Sequence, residues 1–210
     1  MNKLYIGIGG ISTCGKDLCG KIISNILQNK GYKLQRFAFA DELKNDIDAF
    51  CKEKYKISAW TTNPEEKKII RPILVAHGCI MRKIQPDYWI KRIEPLIDVN
   101  NCNVVILTDV RFTNEVKWLK YKEGWFIHIK KYTKESPDAG RTWQRIYKQP
   151  PNEEEKENDP QIQLLSDYKI NWEDLGNNGT IKVNVDELVY NPYLNEEVLK
   201  SLEKCPTLHL

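Results

Sequence analysis

The sequence predicts an α/β fold: a mostly parallel sheet flanked by helices, with a small lid. Three observations carry that prediction. Short apolar runs alternate with stretches of helical periodicity along the 210 residues. One run, Asn103–Leu107 (NVVIL), is apolar and β-branched nearly throughout, the pattern of a strand buried on both faces. A glycine-rich turn, Gly10–Asp17 (GISTCGKD), joins the first apolar run to the first helical stretch.

The elements follow in order. Lys3–Ile8 is apolar and ends in glycines, as a buried strand does. Asp17–Gly31 carries Leu18, Ile22, Ile23, Ile26 and Leu27 near helical spacing, and Gly31 suits a helix stop. Leu34–Ala40 reads as a second strand and Asp41–Tyr55 as a helix with Leu43, Ile47 and Phe50 on one face. A helical stretch opens at Asn63–Pro64 and runs to about Lys83, and Pro86–Ile97 reads as another. After Asn103–Leu107 come a helix at Asn114–Tyr121 and a strand at Trp125–Ile129. Residues 132–160 differ in composition, with Pro137, Gly140, Pro150, Pro151, Pro160 and an acidic run at Glu153–Glu157. They read as a lid-like insertion, partly helical around Arg141–Tyr147, within a single domain spanning 1–210. Tyr168–Trp172 and Thr180–Val185 suit short strands, with a C-terminal helix from about Asn195.

Bulk composition narrows the function classes. A hydrophobic content of 41 % supports a sizeable core. The net charge of +3, from 32 basic and 29 acidic residues, lacks the basic excess of a nucleic-acid binder. No apolar stretch is long enough for a signal peptide or a membrane span. The six cysteines show no CxxC pair and no Cys/His metal spacing, which suits reduced thiols in the cytoplasm. The sequence is compatible with a homodimer.

The turn at Gly10–Asp17 has the spacing GxxxxGK between strand and helix, which is the P-loop arrangement. Such a loop aims successive backbone N–H groups into one concavity, and the helix behind it adds its positive end. The expected ATP-binding residues are Gly10, Ser12, Thr13, Cys14, Gly15, Lys16, Asp17 and Leu18. Lys16 is the cation expected at the β- and γ-phosphates. Where a P-loop usually carries a hydroxyl to ligate Mg²⁺, this chain has Asp17, whose carboxylate is a candidate ligand instead. The plainer alternative is a glycine turn that only joins strand to helix.

Three further segments carry a resemblance. GKD is followed by FAFADELK (37–44), by RPILVAHGCIMRKIQPDYWIKRI (71–93) and by VVILTDVRFTNE (104–115). In this order and spacing, over roughly residues 4–130, they resemble the phage-type deoxynucleoside monophosphate kinases. Animal phosphomevalonate kinases are similar in layout and share the GKD loop. The resemblance implies a P-loop kinase fold and transfer of the ATP γ-phosphoryl group to a (d)NMP, with ATP and Mg²⁺ as the implied cofactors. It also implies that Lys44 and Asp41 face the acceptor. The alternatives are a kinase of another phosphorylated small molecule, such as phosphomevalonate, and a non-catalytic ATP-binding protein. The family's element after the lid has no clear counterpart in EKENDP (155–160), which receives no role.

Other candidates follow from placement. Asp109 ends the buried run, where a carboxylate can orient a Mg²⁺ shell; a turn or cap aspartate is the plainer reading. Arg111 is a candidate phosphate ligand or a surface ion pair. Phe39 opens the turn before Lys44, where an acceptor phosphate can sit. Arg71 and Arg82 stand eleven apart, so one continuous helix places them on one face, fit for phosphate or simply solvated. Arg141 and Arg145, four apart, are neighbours if helical and are candidate catalytic cations of the lid. Trp89 either stacks on a base or fills the core. His77 is open between core, base contact and surface. Trp172 is a candidate to pack near the adenine, with a core tryptophan the plainer reading.

Overall fold

A computed structural model describes residues 3–135, 144–174, 181–183, 188–190 and 192–208. The chain forms two compact units, one of Met1–Arg36 with Cys102–Leu210 and one of Phe37–Asn101.

The first unit is built on a sheet. Strand β1 (Leu4–Gly9) pairs in parallel with β3 (Val104–Val110) on one side and β4 (Trp125–Glu135) on the other. Strand β2 (Leu34–Phe37) lies beyond β3. β4 is long enough to serve two partners: Ile127–Tyr132 pairs in parallel with β6 (Tyr168–Glu173), and Tyr132–Glu135 pairs antiparallel with β5 (Gln144–Tyr147). The sheet is therefore mostly parallel, as the apolar run at 103–107 led one to expect, and Val104–Leu107 are fully buried. A separate antiparallel pair is formed by β7 (Ile181–Val183) and β8 (Leu188–Tyr190).

Side-chain alternation decides which helix covers which face. Ile6 and Ile8 of β1 point to one side and pack in a core with Ile23 and Leu27 of α1 (Lys16–Asn29) and Leu194, Val198 and Leu202 of α7 (Pro192–Glu203). Tyr5 points the other way and meets Trp118 of α5 (Thr113–Tyr121) edge to face at 5.9 Å. Helix α6 (Glu153–Leu164) packs beside α5. Each buried isoleucine or leucine contributes about 1.5–3 kcal/mol. An exposed pair such as Lys156–Glu153 contributes about 0–1 kcal/mol. The two apolar layers, not surface charge, hold the frame.

The second unit is helical: α2 (Phe39–Tyr55), α3 (Pro64–Ile84) and α4 (Tyr88–Val99). Asn63 caps α3 by accepting from the amides of Glu65 and Glu66, with Pro64 at its first position. A small core of Ile47, Cys51, Ala59 and Ile70 joins α2 to α3.

Two expectations need correction. Gln144–Tyr147 is strand β5, not helix, because it pairs with the overhanging end of β4. The four-residue spacing of Arg141 and Arg145 thus loses its helical meaning, and Arg141 lies outside the described residues. The acidic run after it, read as part of the lid-like insertion, forms the first turn of α6, capped by Asn152, whose side chain accepts from Glu155 N at 2.8 Å. All six cysteines are unbridged, and five are buried.

Candidate phosphate-binding site

The loop after β1 has the backbone its glycines predict. Gly10 and Gly15 have φ of +136° and +101°, and Thr13 between them has φ of 59°. A side chain at Gly10 would run into the Ile129 carbonyl and the Cys14 sulfur. A Cβ at Gly15 would stand 2.7 Å from Cζ2 of Trp172. Trp172 is the loop's buttress: its ring lies against Gly15 and its indole N–H donates to the Cys14 carbonyl at 2.8 Å. Gly15 is the N-cap of α1 and provides no side-chain cap. The first amides of α1, from Lys16 onward, thus present an uncapped positive helix end at the loop.

Lys16 lies in that loop, 8 % exposed, donating to the carbonyls of Gly10 at 2.7 Å and Ile11 at 2.6 Å. Burial holds its pKa below the usual lysine value; the Arg111 charge adds to the effect, and Glu155 and Asp109 oppose it. Arg111, Glu155 and Asp109 therefore each lie within electrostatic reach of Lys16. Cys14 beside it is fully buried, and burial raises its thiol pKa, so it is an inert packing group. Asp17 is exposed in the first turn of α1, where a carboxylate also favours the helix dipole. Leu18 packs partly buried against the core. Thr13 accepts a hydrogen bond from Lys148, which follows β5.

Arg111 and Asp109 stand at the carboxyl end of β3, next to β1 and on the loop's side of the sheet. The Arg111 turn is fixed from α5. Glu115, 2 % exposed, accepts from the amides of Arg111 at 2.8 Å and Phe112 at 3.1 Å. The Arg111 guanidinium donates to Glu155 Oε1 at 2.9 Å. The other oxygen of Glu155 accepts from the amide of Ser12 at 2.6 Å. One turn along α6, Asp159 meets His128 Nε2 at 2.8 Å. His128 is buried on β4 opposite Gly9 of β1, and its Nδ1 has no hydrogen-bond partner.

Glu155, Asp159, His128 and Lys148 were not among the residues expected from sequence. A signal existed for the first two. Asn152 and Glu155 have the spacing of a capping box, and Glu155, Asp159 and Ile162 repeat at helical spacing. Two of those three positions are acidic, so an apolar-periodicity reading passes over them.

Arg145 is exposed on β5, with its guanidinium 4.8 Å from the Tyr132 ring centre. In the helical unit, Lys44 and Asp41 pair with each other at 3.4 Å, and the Lys44 ammonium lies 4.4 Å over the Trp60 ring. Phe39 is buried at the start of α2. Arg71 and Arg82 do share a face, because α3 runs unbroken past both despite Pro72. His77 Nε2 is hydrogen-bonded to the Asp46 carboxylate at 2.8 Å. Trp89 is a correction: at 1 % exposure, with its N–H directed to the Gly78 carbonyl at 3.4 Å, it fills the interior and offers no face to a base.

A family model described as phosphomevalonate kinase matches residues 8–124. The chain belongs to the phosphomevalonate kinase family. The matched span of this family member begins in β1 and ends after α5, so it takes in the loop, Lys16, Asp109 and Arg111. No curated protein matches the chain significantly. Among solved structures, the chain is similar to APE1195, at 13 % identity and a TM-score of 0.31 over 60 % of each chain. It therefore spans 60 % of that structure's length. It is also similar to shikimate kinase from Aquifex aeolicus, at 16 % identity and a TM-score of 0.47 over 95 % of this chain and 96 % of that one. A gluconokinase from Sinorhizobium meliloti aligns at 13 % identity with a TM-score of 0.39, over 96 % of this chain and 90 % of its own.

Proposed function

We propose that the chain transfers the γ-phosphoryl group of ATP to an acceptor that already carries a phosphate, a (d)NMP in the first instance. The observation that carries the transfer is the buried Lys16 in its glycine loop, with Arg111 at the neighbouring strand end. The acceptor rests on FAFADELK and TDVRFTNE and their resemblance to deoxynucleoside monophosphate kinases. The family match favours a second reading, with phosphomevalonate as acceptor.

The chemistry needs little beyond placement. An acceptor phosphate oxygen is already anionic near neutral pH, so no general base is required. Catalysis comes from alignment and charge neutralisation. The loop amides and the α1 terminus hold the ATP phosphates, Lys16 bridges toward the transferred group, and Arg111 offsets charge beside it. Lys44, Asp41, Arg71 and Arg82 are the acceptor-binding candidates, and Arg145 with Arg141 the lid cations. Magnesium, when bound, shields phosphate charge. Its preference for carboxylate oxygen and water suits Asp109 and Asp17, and no cluster of three ligating side chains among the described residues would hold it without the nucleotide.

The deciding experiment is ADP release from ATP with each common dNMP, each NMP and phosphomevalonate as acceptor. The first reading expects stimulation by at least one nucleoside monophosphate. Stimulation by phosphomevalonate alone would replace it with the second. ATP binding with no acceptor-dependent release would overturn both.

A further inference from the structure

We propose that Glu155 is a built-in stand-in for a phosphoryl group. Its carboxylate closes the loop and has to be displaced when ATP binds. The inference rests on the reading of the loop as the ATP phosphate site.

The geometry is that of an anion site already filled. A bound phosphate would be recognised by loop amides and by a guanidinium. Glu155 offers one oxygen to each: Oε2 to the amide of Ser12 at 2.6 Å and Oε1 to Nη1 of Arg111 at 2.9 Å. It comes from 143 residues away in sequence and is 6 % exposed. A carboxylate that deep, beside Lys16 and Arg111, is held by charge. A phosphate bearing two negative charges cannot share those donors with it without strong repulsion. The exchange suits a side-chain rotation rather than a helix shift. Asp159, one turn further on, keeps α6 tied to His128 of β4 at 2.8 Å whether or not Glu155 stays. Asn152 holds the start of the helix through Glu155's own backbone amide, so the cap survives movement of its side chain.

A closed latch lowers apparent affinity by the fraction of molecules that are open. Removing the charge should therefore tighten binding, whereas damage to a merely structural contact would weaken it. The test is calorimetric titration of the full chain with ATP and with ADP, for wild type and Glu155→Gln. Binding to the variant about tenfold tighter than to wild type supports the latch. Equal or weaker binding by a folded variant overturns it while leaving the loop reading intact. Failure of wild type and Glu155→Gln alike to bind ATP overturns the loop reading itself. Should Glu155→Gln fail to fold, a crystal structure of wild type with ADP decides. Glu155 moved out of reach of Ser12 N supports the proposal, and Glu155 still bonded there overturns it.

Discussion

Lys16 stands at the residue scale as a charge kept where water would not choose to leave it. Its ammonium is satisfied by two loop carbonyls, yet burial still depresses its pKa. The sign of the consequence is fixed. Between the depressed folded value and the ordinary lysine value of 10.5, the unfolded chain binds more protons than the folded one. Folding stability contributed by this group thus rises with pH across that window. Wild type should gain unfolding free energy relative to Lys16→Met as pH is raised toward 10.5, read from urea curves at a series of pH values. Parallel curves would show that Lys16 is not desolvated. Methionine cannot bridge phosphates, so phosphoryl transfer by the same variant should fall at least about a hundredfold. Turnover near wild type would remove Lys16 from the mechanism.

Element by element, the site depends on how helix starts are tied to strand ends. Phe112, at the N-cap of α5, has no side-chain acceptor, so Glu115 supplies the cap from within the helix and takes the amides of both Arg111 and Phe112. Glu115→Ala should lower stability by about 1–3 kcal/mol by removing the carboxylate that accepts from those amides. It should also raise the KM for ATP, because the Arg111 turn loosens. Glu115→Gln keeps an acceptor oxygen and should restore most of both; a glutamine variant as impaired as alanine would mean that charge, not the acceptor, matters. The same dependence explains which parts were legible in the sequence. The loop was legible because positive φ at Gly10 and Gly15 leaves glycine almost no substitute. β3 was legible because burial on both faces removes alternation. β5 was not: Gln144, Arg145 and Ile146 are exposed, and the strand exists only because β4 overhangs. α6 was not, because two of its three buried positions are Glu155 and Asp159, acids whose cost of burial is met by partners at Ser12, Arg111 and His128, far off in sequence. Trp89 stayed open between base and core for a different reason, since a tryptophan's identity says nothing of which side of α4 faces inward.

Across the whole molecule, the chain concentrates its apolar burial unevenly between the two units. The sheet unit needs both of its sequence segments, because β1 and α1 come before Phe37 while β3, β4 and β6 come after Asn101. Its core draws on two segments at long separation, so it forms and is lost as one piece. The helical unit is a continuous insertion with a small α2–α3 core, a proline inside α3, and Ile69, Ile80 and Ile84 exposed along that helix. Small cores leave little free energy above the entropy of ordering the chain. Elements that receive ligands are drawn from this low-stability end. Hydrogen exchange on the intact protein should therefore deuterate peptides of α3 well before those covering Val104–Leu107. Added ATP should slow exchange around residues 10–18, where the loop amides acquire partners. An acceptor should slow exchange in α2 and α3, where Lys44, Arg71 and Arg82 lie. If α3 proved as protected as β3 in the free protein, opening of the helical unit would be a global event. Acceptor capture would then have to proceed on a rigid surface.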